Sequence, residues 1–598
     1  MRNSLFFPSF RRLNVCIACT LALFAGTVSS EAVDYTWTYV GTTSNWNLPG
    51  AWGSTGGTYP NSSADNVTIS GTGTMLINVS PTVGNFSTDA NGTWIANGSA
   101  TSGASTTLTI TGTLSKTNTQ LAIFRNNSNS QLSLNVNTIL VSNGELSLGH
   151  RSNATQIQSV TAQYTTITGG ILDLNVAGTA NLGAITMSGG NIHLNTYSTA
   201  STQTIYASSL SGAGGTIDST NGIANALATL EVSTAGVSSF NGVLKNGATT
   251  SPLSFTMAGT GLQILTGTSS YTGATKVSSG TLQIGNGTTG AISGSSAVTV
   301  GVDTTTSAVL ALDLGNNSTF ANNITTTAAG VVQSNLTSGT NTLSGTISGG
   351  GSLVKNGLGT LIVSGNNSYT GSTEVAKGTL KATSSTALGN SKEIKVDTGA
   401  TLDLSSISAG FNVGTTQTLV ANGTVQATTG ISVNGELTGS GDISGLVSLG
   451  SGGTLSPGGD GTTGTLTLHT GLTLATNGGS EISFDLGSSQ DLIRIDGGNL
   501  TGNSSGTTLI NLNLLSGLES GSYTLIIWDG ATGSFNADAF SLGEVTGLAD
   551  GGSISFQVVG NELQAVIAVP EPQTWAAMLV GGLGLLVFSR RSVRRMSL

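Results

Sequence analysis

The sequence predicts an all-β solenoid, a chain wound into stacked coils. Residues 349–383 and 259–284 are copies of one strand-and-turn unit. Gly365, Tyr369-Thr370-Gly371 and Gly378-Thr379-Leu380 match Gly267, Tyr271-Thr272-Gly273 and Gly280-Thr281-Leu282 at one constant offset of 98 residues. A second beat, Gly-x-Φ-x-Φ with Φ apolar, starts at Gly144, Gly170 and Gly190, with its first half at Gly215; the spacings are 26, 20 and 25 residues. Composition agrees: of 598 residues 87 are Gly, 8 are Pro and 8% are charged, against about 25% charged in an ordinary globular protein. Short alternating strands cannot bury their apolar side alone, so each unit must stack on its neighbours. Ser, Thr and Asn then cover the outside in place of charge.

Residues 1–32 read as an export signal. Arg11 and Arg12 precede an apolar core, Val15–Ala25, too short to span a bilayer, and Ser30-Glu31-Ala32 offers a cleavage site after Ala32. Both cysteines, Cys16 and Cys19, fall here, so the rest of the chain can form neither a disulfide nor a thiolate metal site. Residues 33–105 hold four of the six tryptophans: Trp37, Trp46, Trp52 and Trp94. They predict an N-terminal cap that covers the open end of the first coil; the alternative is a platform for stacking sugars. Residues 106–470 form the solenoid itself. At roughly 22 residues per coil, they give about sixteen coils and a rod on the order of 75 Å long.

Within this array, residues 349–383 are the best-formed copy. They supply Leu353, Lys355, Gly357, Gly359, Thr360, Leu361, Val363, Gly365, Asn367, Tyr369, Gly371, Thr373, Val375, Gly378, Thr379 and Leu380. This set closely resembles the autotransporter-associated β-strand repeat. The upstream copy departs from it, with Gln263 for a Leu and Ser269 for the Asn. The resemblance implies a right-handed parallel β-helix displayed outside the cell. Residues 471–568 have longer, more aromatic strands and are expected to close the array as a C-terminal β cap.

The last thirty residues carry a second pattern. Pro570-Glu571-Pro572 is followed by the apolar segment 576–589, read as a short helix, and then by Arg590, Arg591, Arg594 and Arg595. This order resembles the PEP-CTERM sorting signal. The resemblance implies a transient inner-membrane anchor, arginines in the cytoplasm, cut by an exosortase-like protease. A permanent single-pass anchor is the alternative. The resemblance to autotransporters covers the repeat and not their route of export, because residues 569–598 do not read as a membrane barrel.

Site chemistry is sparse. The net charge of -10 and the lack of a basic stripe argue against a nucleic-acid partner. The three histidines, His150, His193 and His469, lack metal-site spacing, and no cofactor motif is present. Gly458-Gly459-Asp460-Gly461 is a single weak match to a calcium-binding repeat, and Asp485, Asp491 and Asp496 read as strand-end residues. One constellation stands out: Asp173, His193 and Asp218 occupy the same slot of three successive coils. They are expected as an outward ladder on a solvated face, without a basic partner nearby. The chain is therefore expected to be an exported, non-catalytic surface or matrix protein, adhesive or structural and associated with extracellular polysaccharide. The rival is a glycan lyase or hydrolase on the same fold.

Overall fold

A computed structural model describes residues 32–569, apart from 38–42, 54–57, 71–72, 89–92, 98–103, 127–129, 150–155, 195–202, 220–226, 248–250, 389, 476–477, 503–506 and 530–536. Short strands alternate inward and outward residues, as in Thr360–Val363 and Thr379–Ala382, where every second side chain is buried. That period of two places Leu361 and Val363 inside and Thr360 and Ile362 outside. Each strand pairs in parallel with the strand one turn later. Leu353 faces Thr373, and Thr373 faces Ile394, steps of 20 and 21 residues. The fold is a parallel β-helix.

Long parallel sheets form its walls. One sheet of nine strands runs from Thr43–Asn45 to Val243–Lys245. A sheet of fourteen runs from Val237–Phe240 to Phe540–Thr546, and one of twelve starts at Thr319–Phe320 and ends in the Ser553–Val559/Glu562–Ala568 hairpin. Their inner faces meet in one continuous core in which Leu353, Val375, Leu380 and Leu402 are fully buried. Each such side chain contributes about 1.5–3 kcal/mol of burial free energy.

The turns between walls are tight, and glycine is required in them. Gly378 has φ +68°, and a Cβ there would sit 2.5 Å from the Gly357 carbonyl oxygen and 2.6 Å from that of Gly359. Gly280, its counterpart 98 residues earlier, has φ +64° and would meet Gly259 O and Gly261 O at 2.4 and 2.7 Å. The left-handed backbone and the coil below both exclude a side chain.

The parallel ladder passes through both expected boundaries. Asp34–Trp37 already pairs in parallel with Asn66–Ile69, and Leu121–Arg125 pairs with Thr93–Asn97 below and Glu145–Leu148 above. The aromatic residues close the stack from within. Trp37 and Trp52 form an antiparallel bridge, and Gly53 N donates to Thr36 O at 2.9 Å, occupying the edge of the first strand. The Trp52 ring lies 5.1 Å from that of Trp37 and 5.0 Å from that of Trp46. Trp52 Nε1 donates to Trp46 O and Trp46 Nε1 to Pro60 O. Trp37, Trp46 and Trp52 are buried, so their faces are not open to a stacked sugar.

At the other end, Glu481–Leu486 still pairs in parallel with Thr508–Leu514, and Leu492–Ile495 with Gly521–Trp528. Apart from isolated bridges, antiparallel pairing among the described strands comes with the final hairpin, where Glu562–Ala568 lies between Gly521–Trp528 and Ser553–Val559. The expected C-terminal helix is not supported. Among the described residues no helix is long and apolar enough to cross a membrane, and segment 576–589 lies outside them.

Candidate functional site

The repeat signature is a set of structural roles. Tyr369 is fully enclosed, and its hydroxyl meets Thr373 Oγ1 at 2.6 Å. Thr373 Oγ1 donates to Ser391 Oγ of the next coil at 3.0 Å, and Ser391 Oγ donates back to Gly371 O at 3.0 Å. The upstream copy repeats this chain: Tyr271 OH to Thr275 Oγ1 at 2.7 Å, Thr275 to Ser296 Oγ at 2.8 Å, and Ser296 Oγ to Gly273 O at 2.7 Å. Burial pushes both phenols well above their ordinary range. Asn367 bridges three coils, accepting from Ile347 N at 2.7 Å and donating to Ala387 O at 3.0 Å. Ser269, which replaces it upstream, accepts from Leu244 N at 3.1 Å.

Lys355 is the least expected member. It points inward, is fully buried, and donates from Nζ to the carbonyls of Asn356 (3.0 Å), Gly357 (2.6 Å) and Lys377 (3.2 Å). Burial lowers its pKa to about 8. Gln263, where the best copy has Leu361, is also buried. Its Nε2 donates to Leu210 O at 2.9 Å, while its Oε1 finds no partner.

Asp173, His193 and Asp218 do stack in register on three successive coils. The column is longer than expected, and its two aspartates are buried rather than solvated. Ser147 precedes it and Lys245 follows it. Asp173 is 0% and Asp218 4% exposed. Ser147 Oγ donates to Asp173 Oδ2 at 3.2 Å, His193 Nδ1 lies 2.7 Å from Asp218 Oδ1, and Lys245 Nζ lies 4.0 Å from Asp218 Oδ2. The basic partner missing from the sequence reading is Lys245, which sequence distance from Asp218 had hidden. The column links successive coils through these contacts, with Ser147, Asp173 and Asp218 buried, His193 part-buried and Lys245 at its exposed end.

Two grooves do face outward. One, of about 600 Å³, crosses the twelve-stranded wall and is lined by Ser405, Thr424, Gln426, Thr428, Asp442, Ser444 and His469. His469 Nε2 lies 3.4 Å from Asp442 Oδ1 and its Nδ1 3.9 Å from Asp496 Oδ2, and all three side chains are substantially exposed. The other, of about 540 Å³, crosses the fourteen-stranded wall near its end. Its lining includes Glu436, Asp460, Asp485, Asn511, Asn513 and Glu544. Asp485 and Asp491 do stand at strand ends, next to the last residue of Glu481–Leu486 and the first of Leu492–Ile495, and both are buried. Asp491 accepts from Asp485 N and Gly464 N at 2.7 Å each. Among the described residues no group of three His, Cys, Asp or Glu could hold a metal ion.

The chain leaves the final hairpin at Val569. Ser520 Oγ accepts from Val569 N at 2.8 Å and donates to Val569 O at 3.1 Å, directly before the Pro-Glu-Pro motif. Pro570, Glu571, Pro572, Arg590, Arg591, Arg594 and Arg595 lie outside the described residues.

Comparisons with known proteins bear on the repeat and the tail. The family model of the passenger-associated-transport repeat matches residues 255–284 and 353–382, and that of the PEP-CTERM protein-sorting motif matches residues 568–595. Over 139 residues, 23% of this chain, the sequence is 34% identical to the Adhesin BmaC autotransporter of Brucella suis biovar 1 (strain 1330); the match spans 4% of that protein's length. The crystal structure of the Haemophilus influenzae Hap adhesin aligns over 84% of this chain and 64% of its own, at 11% identity and a TM-score of 0.28, too distant to carry an argument. The chain is thus a parallel β-helix protein that contains passenger-associated-transport repeats and a PEP-CTERM sorting motif.

Proposed function

We propose that this protein is an exported, non-catalytic scaffold of the cell surface or extracellular matrix, adhesive toward extracellular polysaccharide. The observation that carries this reading is the pair of open polar grooves that cross successive coils, walled by Ser, Thr, Asn, Gln and carboxylate side chains. Such walls offer a chain of sugar hydroxyls many exchangeable hydrogen bonds. The adhesin name of the Brucella relative is consistent with it. The PEP-CTERM motif marks the chain for exosortase-like sorting machinery. In this reading the 576–589 segment lodges transiently in the inner membrane of a Gram-negative-type cell. The Arg590–Arg595 cluster stays in the cytoplasm, because moving guanidinium groups across hydrocarbon costs about 2.5–3.5 kcal/mol each. The Ser520–Val569 clamp holds the residue that directly precedes Pro570-Glu571-Pro572. Mass spectrometry of surface-extracted protein tests the sorting step: the peptide Trp575–Leu598 should be missing from most molecules. Its recovery would make the tail a permanent anchor.

A second reading, a glycan-cleaving enzyme, is favoured by one observation: His469 stands between the carboxylates of Asp442 and Asp496 beside a groove. It requires that His469→Ala abolish a measurable release of reducing ends from polysaccharide.

A further inference from the structure

The groove on the fourteen-stranded wall has a charge pattern of its own. Glu436, Asp460, Asp485 and Glu544 line it, from separate coils, and no Lys or Arg is among its described lining residues. Asp485 belongs to the outward side of Glu481–Leu486, whose Ile482, Phe484 and Leu486 fill the core. Even so it is only 4% exposed. Asn513 Nδ2 donates to its Oδ1 at 2.7 Å, while its Oδ2 is buried with no hydrogen-bond partner. A buried carboxylate oxygen without a donor is costly, and in a native structure it asks for an explanation. Around it the polar groups are already engaged. Asn511 Nδ2 donates to Glu481 Oε2 at 3.1 Å, its Oδ1 accepts from Glu544 N at 2.8 Å, and Thr546 Oγ1 donates to Asn513 Oδ1 at 2.7 Å. Behind Asp485, burial pushes the Asp491 pKa up to about 7, against the Asp485 and Gly464 N–H groups that lower it. The groove is therefore a surface rich in acceptors, with four carboxylates and no positive charge among its described lining residues.

We propose that this groove binds a polysaccharide of amino sugars bearing free ammonium groups, with one ammonium drawn to the under-satisfied Asp485 carboxylate and its neighbours attracted by Glu436 and Glu544. Neutral glycans supply hydroxyl donors but no charge to offset four carboxylates. Anionic glycans are repelled. The inference rests on the glycan-holding reading above and narrows it to one class of ligand.

Isothermal titration of the purified full chain with a glucosamine oligosaccharide, and with the same oligosaccharide fully N-acetylated, tests it. The free-amine form should bind, and N-acetylation should weaken it by about ten-fold or more, as should raised salt, because the attraction is between charges. Asp485→Asn should weaken free-amine binding by a similar factor. If that variant fails to fold, Glu544→Gln on the strand Phe540–Thr546 should still lower affinity and make the loss with salt shallower, because one attracting charge is gone. Equal binding of the two oligosaccharides, or unchanged binding by a folded Asp485→Asn, would overturn the inference while leaving glycan adhesion standing. Binding of neither form, together with failure on other polysaccharides, would instead remove the adhesive reading itself.

Discussion

Tyr369 and Thr373 join their hydroxyls at 2.6 Å inside the coil, and Tyr271 and Thr275 do the same at 2.7 Å one repeat earlier. The Tyr-x-Gly-x-Thr spacing of the repeat is this contact written in sequence. It closes a wall-to-wall turn by giving a buried phenol its one required partner. Tyr369→Phe leaves the ring in place and takes one of two partners from the Thr373 hydroxyl, which keeps Ser391. It should cost about 1–2 kcal/mol and lower the midpoint of urea unfolding. Thr373→Val added to it should cost less than the sum of the two single changes, because they share one interaction. Additive losses would show that the hydroxyls do not act as a pair.

The alternation of the best-formed copy is testable at two adjacent positions. Leu361 is 1% exposed, and Leu361→Asp would place an unpaired carboxylate in the core at a cost of several kcal/mol. Thr360→Asp, one residue earlier on the outer face, should cost well under about 1 kcal/mol. Hydrogen exchange across residues 340–400 would read both. Equal losses of protection would contradict the register.

Gln263 marks where the upstream copy is weakest. Its amide sits in the core with Oε1 unpaired. Gln263→Leu, which restores the residue found at Leu361, should raise the melting temperature by a few degrees, equivalent to roughly 1 kcal/mol. The Leu210 carbonyl loses a donor in the exchange, which offsets part of the gain from removing the unpaired Oε1 and the buried amide. A lowered melting temperature would show that the Leu210 contact outweighs the orphan oxygen.

Lys355 gives a pH signature. Its pKa falls from 10.5 in the unfolded chain to about 8 in the fold, so between these values the unfolded chain binds more protons. Stability should therefore rise with pH from about 8 toward 10. Above about 10 the raised phenols of Tyr271 and Tyr369 reverse the trend, since the unfolded state then loses their protons first. Lys355→Met should flatten the rise. Denaturant midpoints at pH 8 and 9.5 would check this, and a fall over that window in the unsubstituted protein would contradict the burial of a charged amine.

These residues also show what a sequence can carry. Gly, Leu and Thr of the repeat were legible because each stands in a local pattern: alternation for Leu361 and Leu380, a left-handed turn for Gly378. Ser391 and Ser296 complete the tyrosine networks but come from the following coil, and in a Ser-rich chain nothing distinguishes them beforehand. Lys245 was missed for the same reason, since 27 residues separate it from Asp218 although the two are in register. The burial of Asp173 depends on what packs over the wall, which alternation does not encode. Longer, aromatic strands after residue 470 read as a separate cap, yet up to the final antiparallel hairpin they stack in parallel on the coils before them, because strand length alone does not set pairing direction.

The central claim is that the protein holds polysaccharide without cutting it. Co-sedimentation of the purified full chain with the extracellular polysaccharide of its own cells, followed by sizing of that polysaccharide, tests both halves at once. Retention of the protein with polysaccharide of unchanged length is the predicted result. Shortened polysaccharide would make the protein an enzyme, and absence of the protein from the pellet would contradict adhesion.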